Sequence, residues 1–223
     1  MKFRIDLKIL FFLVLFFITG QLKLYLLVML FALLHELAHL LMGILLHFRP
    51  EEIEIMPFGF WMSLKPRIED FKKCILKSNL VELKYIFIAA AGPLLNFILI
   101  IVFSNSNLIS GDMLNRSDPI FTFRQMAIYS NFLLFMLNLV PIYPLDGGRI
   151  FQSILRIFIG KKHADESMNI IANVSIIILT IAGSIAILYL KNIAVLLILA
   201  YLWELVIREN RRFKLKKKVF EIA

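Results

Sequence analysis

Three ionisable side chains lie within five residues of an otherwise apolar stretch, in the sequence His35-Glu36-Leu37-Ala38-His39. Residues four apart share one face of a helix, so the imidazoles of His35 and His39 can bind one metal ion together. Glu36 lies beside them and is suited to take a proton from a metal-bound water. Short motifs of this kind arise by chance in soluble helices, but here leucine pairs flank the motif, and ionisable groups inside a membrane helix are costly. The sequence therefore predicts a functional metal site on this segment.

A third ligand is expected elsewhere, because a catalytic zinc ion generally has three protein ligands and one open position. Asp146 is the leading candidate. It follows Pro141 and Pro144, which stop a helix, and it precedes two glycines, which permit a turn. Irregular backbone at membrane depth is tolerated where it is buried in protein or lines a wet cavity. A broken helix that presents an aspartate to such a cavity meets this requirement, and a turn aspartate in a cytoplasmic loop is the alternative.

The elements that must position these residues are apolar runs. Of the 223 residues 60% are apolar and 18% charged, whereas soluble domains have about 45–50% and about 25%. A membrane helix needs about 20 residues, so the sequence predicts an all-α polytopic membrane protein with about six transmembrane helices, the fourth of them broken. The runs are residues 9–20, 22–46, 85–103, 120–140, 169–190 and 193–207. The first resembles a signal peptide but lacks a small-x-small cleavage site, so we expect an uncleaved span.

The distribution of cations predicts the orientation. Twenty-one of the 25 Lys and Arg residues lie in the N-terminus, residues 47–84, residues 149–162 and the tail 208–223. The positive-inside rule then predicts a multi-pass protein of the cell membrane with both termini in the cytoplasm. A net charge of +9 is also found in proteins that bind nucleic acid, but these cations are spread between apolar runs. We therefore expect the basic tail to contact anionic lipid and expect no nucleic-acid partner.

Together these motifs resemble the site-2 protease family of intramembrane zinc metalloproteases. His35-Glu36-x-x-His39 is similar to its zinc motif, and Asn138-Leu-Val-Pro-Ile-Tyr-Pro-Leu-Asp146-Gly-Gly-Arg149 to its second motif. Gly92-Pro93-Leu-Leu-Asn96 looks like the small-residue element of its central helix. The resemblance implies a Zn²⁺ cofactor held by His35, His39 and Asp146, with Glu36 as the catalytic residue. It also implies a protease core over residues 1–207, followed by the cytoplasmic tail 208–223.

Within the family the likeness is greatest to the stage IV sporulation protein FB group. Met56-Pro-Phe58-Gly59 resembles the membrane-re-entrant loop of that group. This implies a membrane-embedded or membrane-associated protein substrate, for example a sporulation sigma-factor precursor, and inhibitory or regulatory membrane proteins as partners. The group usually adds a nucleotide-sensing domain, which we do not expect here because 16 residues follow the last predicted span. Ala38 and Phe60 stand where relatives often have glycine. No oligomeric state is predicted.

Residues 52–62 are expected to receive the substrate. Glu52-Ile53-Glu54-Ile55 alternates like a strand, and apolar residues around Gly59 follow. Because a helix hides the scissile amide, a substrate must be extended, and we expect this short re-entrant β segment to pair with its backbone. Phe58 and Gly59 would then contact substrate, with a plain interfacial loop as the alternative.

The resemblance further implies that Asn138 holds the substrate or a developing oxyanion, and a helix–helix hydrogen bond is its alternative role. Asn96 is expected to pack structurally.

Two other functions compete with proteolysis. A zinc transporter would need His, Asp or Glu along a path through several spans, and residues 85–103 contain none. A catalytically inactive membrane scaffold would not need the intact set of His35, Glu36, His39 and Asp146.

Overall fold

The computed structural model describes residues 2–5, 8–18, 20, 22–56, 59–65, 76–105, 123–190 and 193–222. Along the chain its elements are β1 (Lys2–Ile5), α1 (Lys8–Ile18), α2 (Leu22–Leu45), β2 (Arg49–Met56), β3 (Gly59–Lys65), α3 (Leu76–Asn105), α4 (Phe123–Asn138), α5 (Asp146–Ile159), α6 (Lys161–Leu190) and α7 (Ile193–Ile222). The chain divides into two compact units, residues 1–138 and residues 139–223. The predicted helical architecture is confirmed, with a small sheet added to it.

Three helices are long and apolar enough to cross a membrane, as judged over the described residues by length and composition. Their spans are Leu22–Leu45, Asn79–Asn105 and Lys161–Ile185. On α2, leucines 26, 30, 37 and 41 are each about half exposed or more, as a helix surface in contact with lipid requires. Helices α1 and α4 have 11 and 16 residues, fewer than the approximately 20 of a full span. The count of six spans therefore stays a prediction.

The expected β segment forms two strands of a three-stranded sheet. Strands β2 and β3 are antiparallel, with Ile53 opposite Met62 and Met56 opposite Gly59. Strand β1 pairs with β2 in parallel, so among the described strands β1 and β3 form the two edges. The extended structure is thus confirmed and is longer than residues 52–62. Membrane re-entry by this segment stays a prediction, and Phe58 lies outside the described residues.

Helices α2, α3 and α4 pack together in the first unit. Its core contains buried Phe31, Ala32, Ala127 and Leu134, and the Phe31 ring meets that of Phe103 edge-on, with centroids 5.8 Å apart. Alanines at such contacts let helix backbones approach closely, which is how membrane helices usually associate. This packing brings the histidine face of α2 against α3.

The predicted break near Asp146 is present in the second unit. Helix α4 ends at Asn138 and α5 begins at Asp146, with irregular backbone in between. A side chain at Gly147 would overlap the backbone carbonyl of Leu139, and one at Gly148 the backbone of Ile142. Both glycines are therefore required for the chain to fold back this tightly before α5 starts.

Helices α6 and α7 pack antiparallel, joined by hydrogen bonds of Asn210 with Asn169 and Asn173. Near the start of α6, Asp165 accepts hydrogen bonds from Gln152 and Arg156 of α5. Helix α7 continues to Ile222, so most of the basic segment 208–223 is an extension of that helix. Its treatment as a separate region from the core 1–207 stays a prediction.

Candidate metal centre

Two imidazoles on α2 converge inside the first unit. His35 and His39 are each 3% exposed, and their Nε2 atoms lie 3.1 Å apart. Glu36 is half-buried beside them, and the three residues each offer a ligand atom within 4.8 Å of the others. The four-residue spacing produces this convergence, because α2 is a regular helix throughout the motif.

Helix α3 supports both imidazoles from the opposite side. His39 Nδ1 donates to the backbone carbonyl of Ile88 at 2.6 Å, and Asn96 Nδ2 lies 2.9 Å from His35 Nδ1. Gly92 lies midway between these two residues, and a Cβ there would overlap the Nε2 atoms of both histidines. Residues 88, 92 and 96 are spaced by four and share one face of α3. This face supplies a carbonyl, an open space and an amide to the two histidines.

The arrangement fits a metal ion. Two ligands of one tetrahedral zinc ion, each about 2.0–2.1 Å from it, lie about 3.3 Å apart, and the observed Nε2–Nε2 separation is 3.1 Å. Histidine ligands generally donate the other ring nitrogen to a carbonyl or carboxylate, as His39 does to Ile88. The space at Gly92 would be filled by any other residue. The described residues thus contain two converged imidazole donors and an adjacent carboxylate.

Asp146 lies in the second unit. It is the first residue of α5, is 5% exposed and follows Leu145 at the N-cap. A carboxylate at a helix N-terminus is stabilised by the helix dipole. Its burial is consistent with a role inside the protein rather than in a solvated turn, while its assignment as the third ligand stays a prediction.

The predicted substrate-binding residues have different surroundings. Asn138 is the last residue of α4 and is half-buried. Its Nδ2 donates to the carbonyl of Leu134 in its own helix at 3.1 Å. Gly59 is the first residue of β3 and pairs with Met56. Substrate contact by Asn138, Gly59 and Phe58 stays a prediction.

One side chain of the site was missed by sequence reasoning. Asn96 was expected to pack structurally, but its amide meets an imidazole of the motif, and it is fully buried. The available signal was a single amide in the apolar run 85–103, one helical turn after Gly92-Pro93. Its partner lies 61 residues away in sequence, so spacing alone could not identify the contact.

Comparison with known proteins gives matches to a family model, to a curated relative and to a solved structure. Residues 105–182 match the family model of Peptidase family M50. Stage IV sporulation protein FB of Bacillus subtilis (strain 168) is 29% identical over 133 residues, which are 60% of this chain. The matched region spans 40% of the length of that relative.

The solved site-2 protease from Methanocaldococcus jannaschii is similar in fold. Its TM-score is 0.63 with 22% sequence identity, over 94% of this chain and 91% of that one. The fold comparison is thus nearly complete, while the family-model match is confined to residues 105–182. These findings confirm the resemblance to the site-2 protease family: residues 105–182 are similar to the M50 peptidase model, and the fold is similar to that of a solved site-2 protease.

Proposed function

We propose that this protein is an intramembrane zinc metalloprotease that hydrolyses a peptide bond of a membrane-embedded or membrane-associated protein. The observation that carries the proposal is the pair of buried imidazoles with converged Nε2 atoms, beside a carboxylate, on a helix apolar enough to cross a membrane. The match to the M50 peptidase model and the site-2 protease fold support the same reaction.

Each residue of the site has a proposed role in the reaction. His35 and His39 would hold zinc through Nε2, and Asp146 would complete the ligand set. Zinc bound there would lower the pKa of a water toward about 7 and polarise the scissile carbonyl. Glu36 accepts the proton of the attacking water and returns it to the leaving amine, so that the peptide bond is replaced by a carboxylate and an amine. Asn138 is proposed to hold the substrate or its developing oxyanion.

The sheet supplies a surface for an extended substrate. Strand β3 is an edge of the described sheet and lies along α2, the helix of the metal motif. An edge strand presents unpaired backbone groups that a second chain can join. A substrate strand added to β3 at Gly59 would be extended, as cleavage of its amide requires. Because the relative in Bacillus subtilis is named a sporulation protein, the precursor of a sporulation sigma factor is the first substrate to test.

The membrane arrangement belongs to the same proposal. Three described helices have the length and composition of spans, and the cation distribution favours a multi-pass cell-membrane protein with both termini in the cytoplasm. Arg208, Arg212 and Lys214 are exposed on α7, where they are available to anionic lipid head groups.

Glu36→Gln tests the reaction most simply. The amide cannot accept a proton, so co-expression of the variant with the candidate substrate should reduce processing at least about 100-fold. Its zinc content should stay at the wild-type level, because the proposed ligands are unchanged. Glu166→Gln is the matched control, since that carboxylate is 44% exposed on α6. Processing by Glu36→Gln at the wild-type rate would contradict the proposal.

A further inference from the structure

A cavity opens between helices α5, α6 and α7 of the second unit. It has about 350 Å³ of empty volume, including its open mouth. Four polar side chains from these helices line it, namely Gln152, Asp165, Asn169 and Glu209. The reaction proposed above uses none of them.

The polar groups of this cavity are mainly hydrogen-bond acceptors. Gln152 is 9% exposed. Its Nε2 donates to Asp165 at 2.9 Å, and its Oε1 accepts no hydrogen bond within the described part of the chain. Asn169 Nδ2 donates to Asn210 at 2.6 Å, while Asn169 Oδ1 has one long contact, of 3.5 Å, with a neighbouring amide. A buried acceptor that lacks a good hydrogen bond costs free energy, so the cavity favours a ligand that donates.

The charge of the lining favours a ligand with a single positive charge. Arg156 is bonded to Asp165 at 2.9 Å and neutralises that carboxylate. Glu209 has an ion pair of 4.0 Å with Arg212, whose side chain is 67% exposed, and exposed pairs of this kind are weak. Two carboxylates and one guanidinium at the cavity leave one negative charge. This charge matches one ammonium or guanidinium group, both of which only donate hydrogen bonds.

Apolar side chains complete the lining. Met168 and Phe213 both line the cavity, and Met168 is 3% exposed. Lysine and arginine side chains bury their methylene stems against such surfaces while the charged head reaches polar groups. The lining therefore fits the side chain of a lysine or an arginine.

The position of the cavity along the chain indicates where that side chain comes from. Its residues lie in the first turns of α6 and in the part of α7 that follows residue 207, where the cation distribution predicts the cytoplasmic face. Membrane proteins carry an excess of lysine and arginine beside their spans at this face. A membrane-spanning substrate would thus present a basic side chain at the same level.

The cavity also reaches the irregular segment before α5. Tyr143 lines it and lies three residues before Asp146, so the Cα atoms of these two residues are at most about 11 Å apart. A side chain held in the cavity would therefore contact the segment that leads to the proposed third ligand.

We propose that this cavity is a specificity subsite, which binds a lysine or arginine side chain at the cytoplasmic flank of a membrane-spanning substrate. Glu209 supplies the opposite charge, and the oxygens of Gln152 and Asn169 supply further acceptors. The inference deepens the proposed function and rests on it, because the occupant of the cavity is the substrate of that reaction.

Binding of a single-span test peptide to purified full-length protein in phosphatidylcholine vesicles tests the subsite. All proteins carry Glu36→Gln so that the peptide stays intact, and affinity is measured by fluorescence energy transfer between labelled protein and peptide. One peptide has three lysines at its cytoplasmic flank. The matched peptide has three acetyl-lysines, which keep the stem and remove the charge. The lysine peptide should bind about 10-fold more tightly.

Substitutions at Glu209 assign that preference to the cavity. Glu209→Gln should abolish the preference for lysine. Glu166→Gln is the matched control and should keep it, because that carboxylate is 44% exposed on α6 and does not line the cavity. Glu209→Lys should bind a peptide with three glutamates more tightly than the lysine peptide. A merely structural role of Glu209 would not produce this reversal.

The outcomes separate this inference from the proposed function. Equal affinity of the reference protein for the lysine and acetyl-lysine peptides, or an unchanged preference in Glu209→Gln, would overturn the subsite. Phosphatidylethanolamine also carries an ammonium group, and loss of the preference when it is added to the vesicles would assign the cavity to lipid and overturn the subsite as well. A preference for lysine without zinc-dependent cleavage of the peptide by the wild type would instead contradict the proposed function.

Discussion

Gly92→Ala is a substitution whose effect follows directly from the geometry. A Cβ at this position would lie 2.5 Å from His35 Nε2 and would also overlap His39 Nε2. Ordinary contacts of a Cβ begin at 3.4 Å, so the imidazoles or the helix must shift by about 1 Å. Metal–ligand distances tolerate only about 0.2 Å, and a 1 Å displacement at a catalytic site can cost about 100-fold in rate.

The same substitution should not harm the helix itself. Alanine is favoured over glycine in a helix interior by about 1 kcal/mol, and Gly92 is not at a positive φ. We therefore expect Gly92→Ala to purify normally, to melt no more than a few degrees from the metal-free wild type, and to bind zinc at least about 10-fold more weakly. Loss of the metal with retention of the fold distinguishes this effect from general unfolding.

The assay is zinc content and chelator competition on purified protein, with Gly183→Ala as the matched control. Gly183 is also buried in a candidate membrane span, but a Cβ there would meet the flexible end of the Leu199 side chain, which can move. The control should keep its zinc. Wild-type zinc affinity in Gly92→Ala would refute the view that the α3 face at residue 92 is left open for the metal.

Three further predictions concern the rest of the proposal. Asp146→Ala should lose most of its zinc, and full retention, measured by mass spectrometry, would remove Asp146 from the ligand set. Cys74, the only cysteine of the sequence, should react with a membrane-impermeant maleimide in inverted vesicles and not in intact cells. The reason is that residues 47–84 are rich in Lys and Arg, which predicts a cytoplasmic location. Labelling of intact cells would contradict the predicted orientation. Photo-crosslinkers placed along β3 should capture substrate more strongly than those along β1, the other described edge of the sheet, and equal capture would contradict docking at β3.

The parts of the site that sequence predicted depend on local spacing. His35 and His39 share a face because any helix brings residues four apart together. The break before Asp146 follows from prolines and glycines that act on their own neighbours. Burial of Asp146 agreed with its expected role, although its partnership with the histidines is still a prediction.

The parts that sequence did not reveal depend on contacts between distant residues. Asn96 meets His35 over 61 residues, and Ile88 meets His39 over 49. Every residue has a backbone carbonyl, so the residue type at position 88 does not indicate its role. One asparagine in an apolar helix is equally consistent with a packing role and with a role at a metal site. Strand β1 was missed for the same reason, because its four residues pair with a segment about 50 residues away. Distant contacts of this kind depend on the tertiary fold rather than on local spacing.

The contacts from α3 explain how the two imidazoles of the candidate metal site are held in place, which the motif alone does not. Two imidazoles 3.1 Å apart are held from one side by a carbonyl and an amide. Both supporting groups lie on a helix that itself has the composition of a membrane span. With the Nδ1 atoms held and Gly92 leaving space at Nε2, α3 orients both of the proposed histidine ligands. This should lower the ordering cost of binding.

Zinc-dependent cleavage by the purified protein tests the central claim most directly. The wild type would be stripped with a chelator, divided, and assayed with a membrane-spanning test substrate before and after one equivalent of zinc is restored. The proposal predicts no cleavage in the stripped sample, recovery with zinc, and no cleavage by Glu36→Gln at the same zinc content. Equal cleavage by the stripped and the zinc-loaded protein would contradict it.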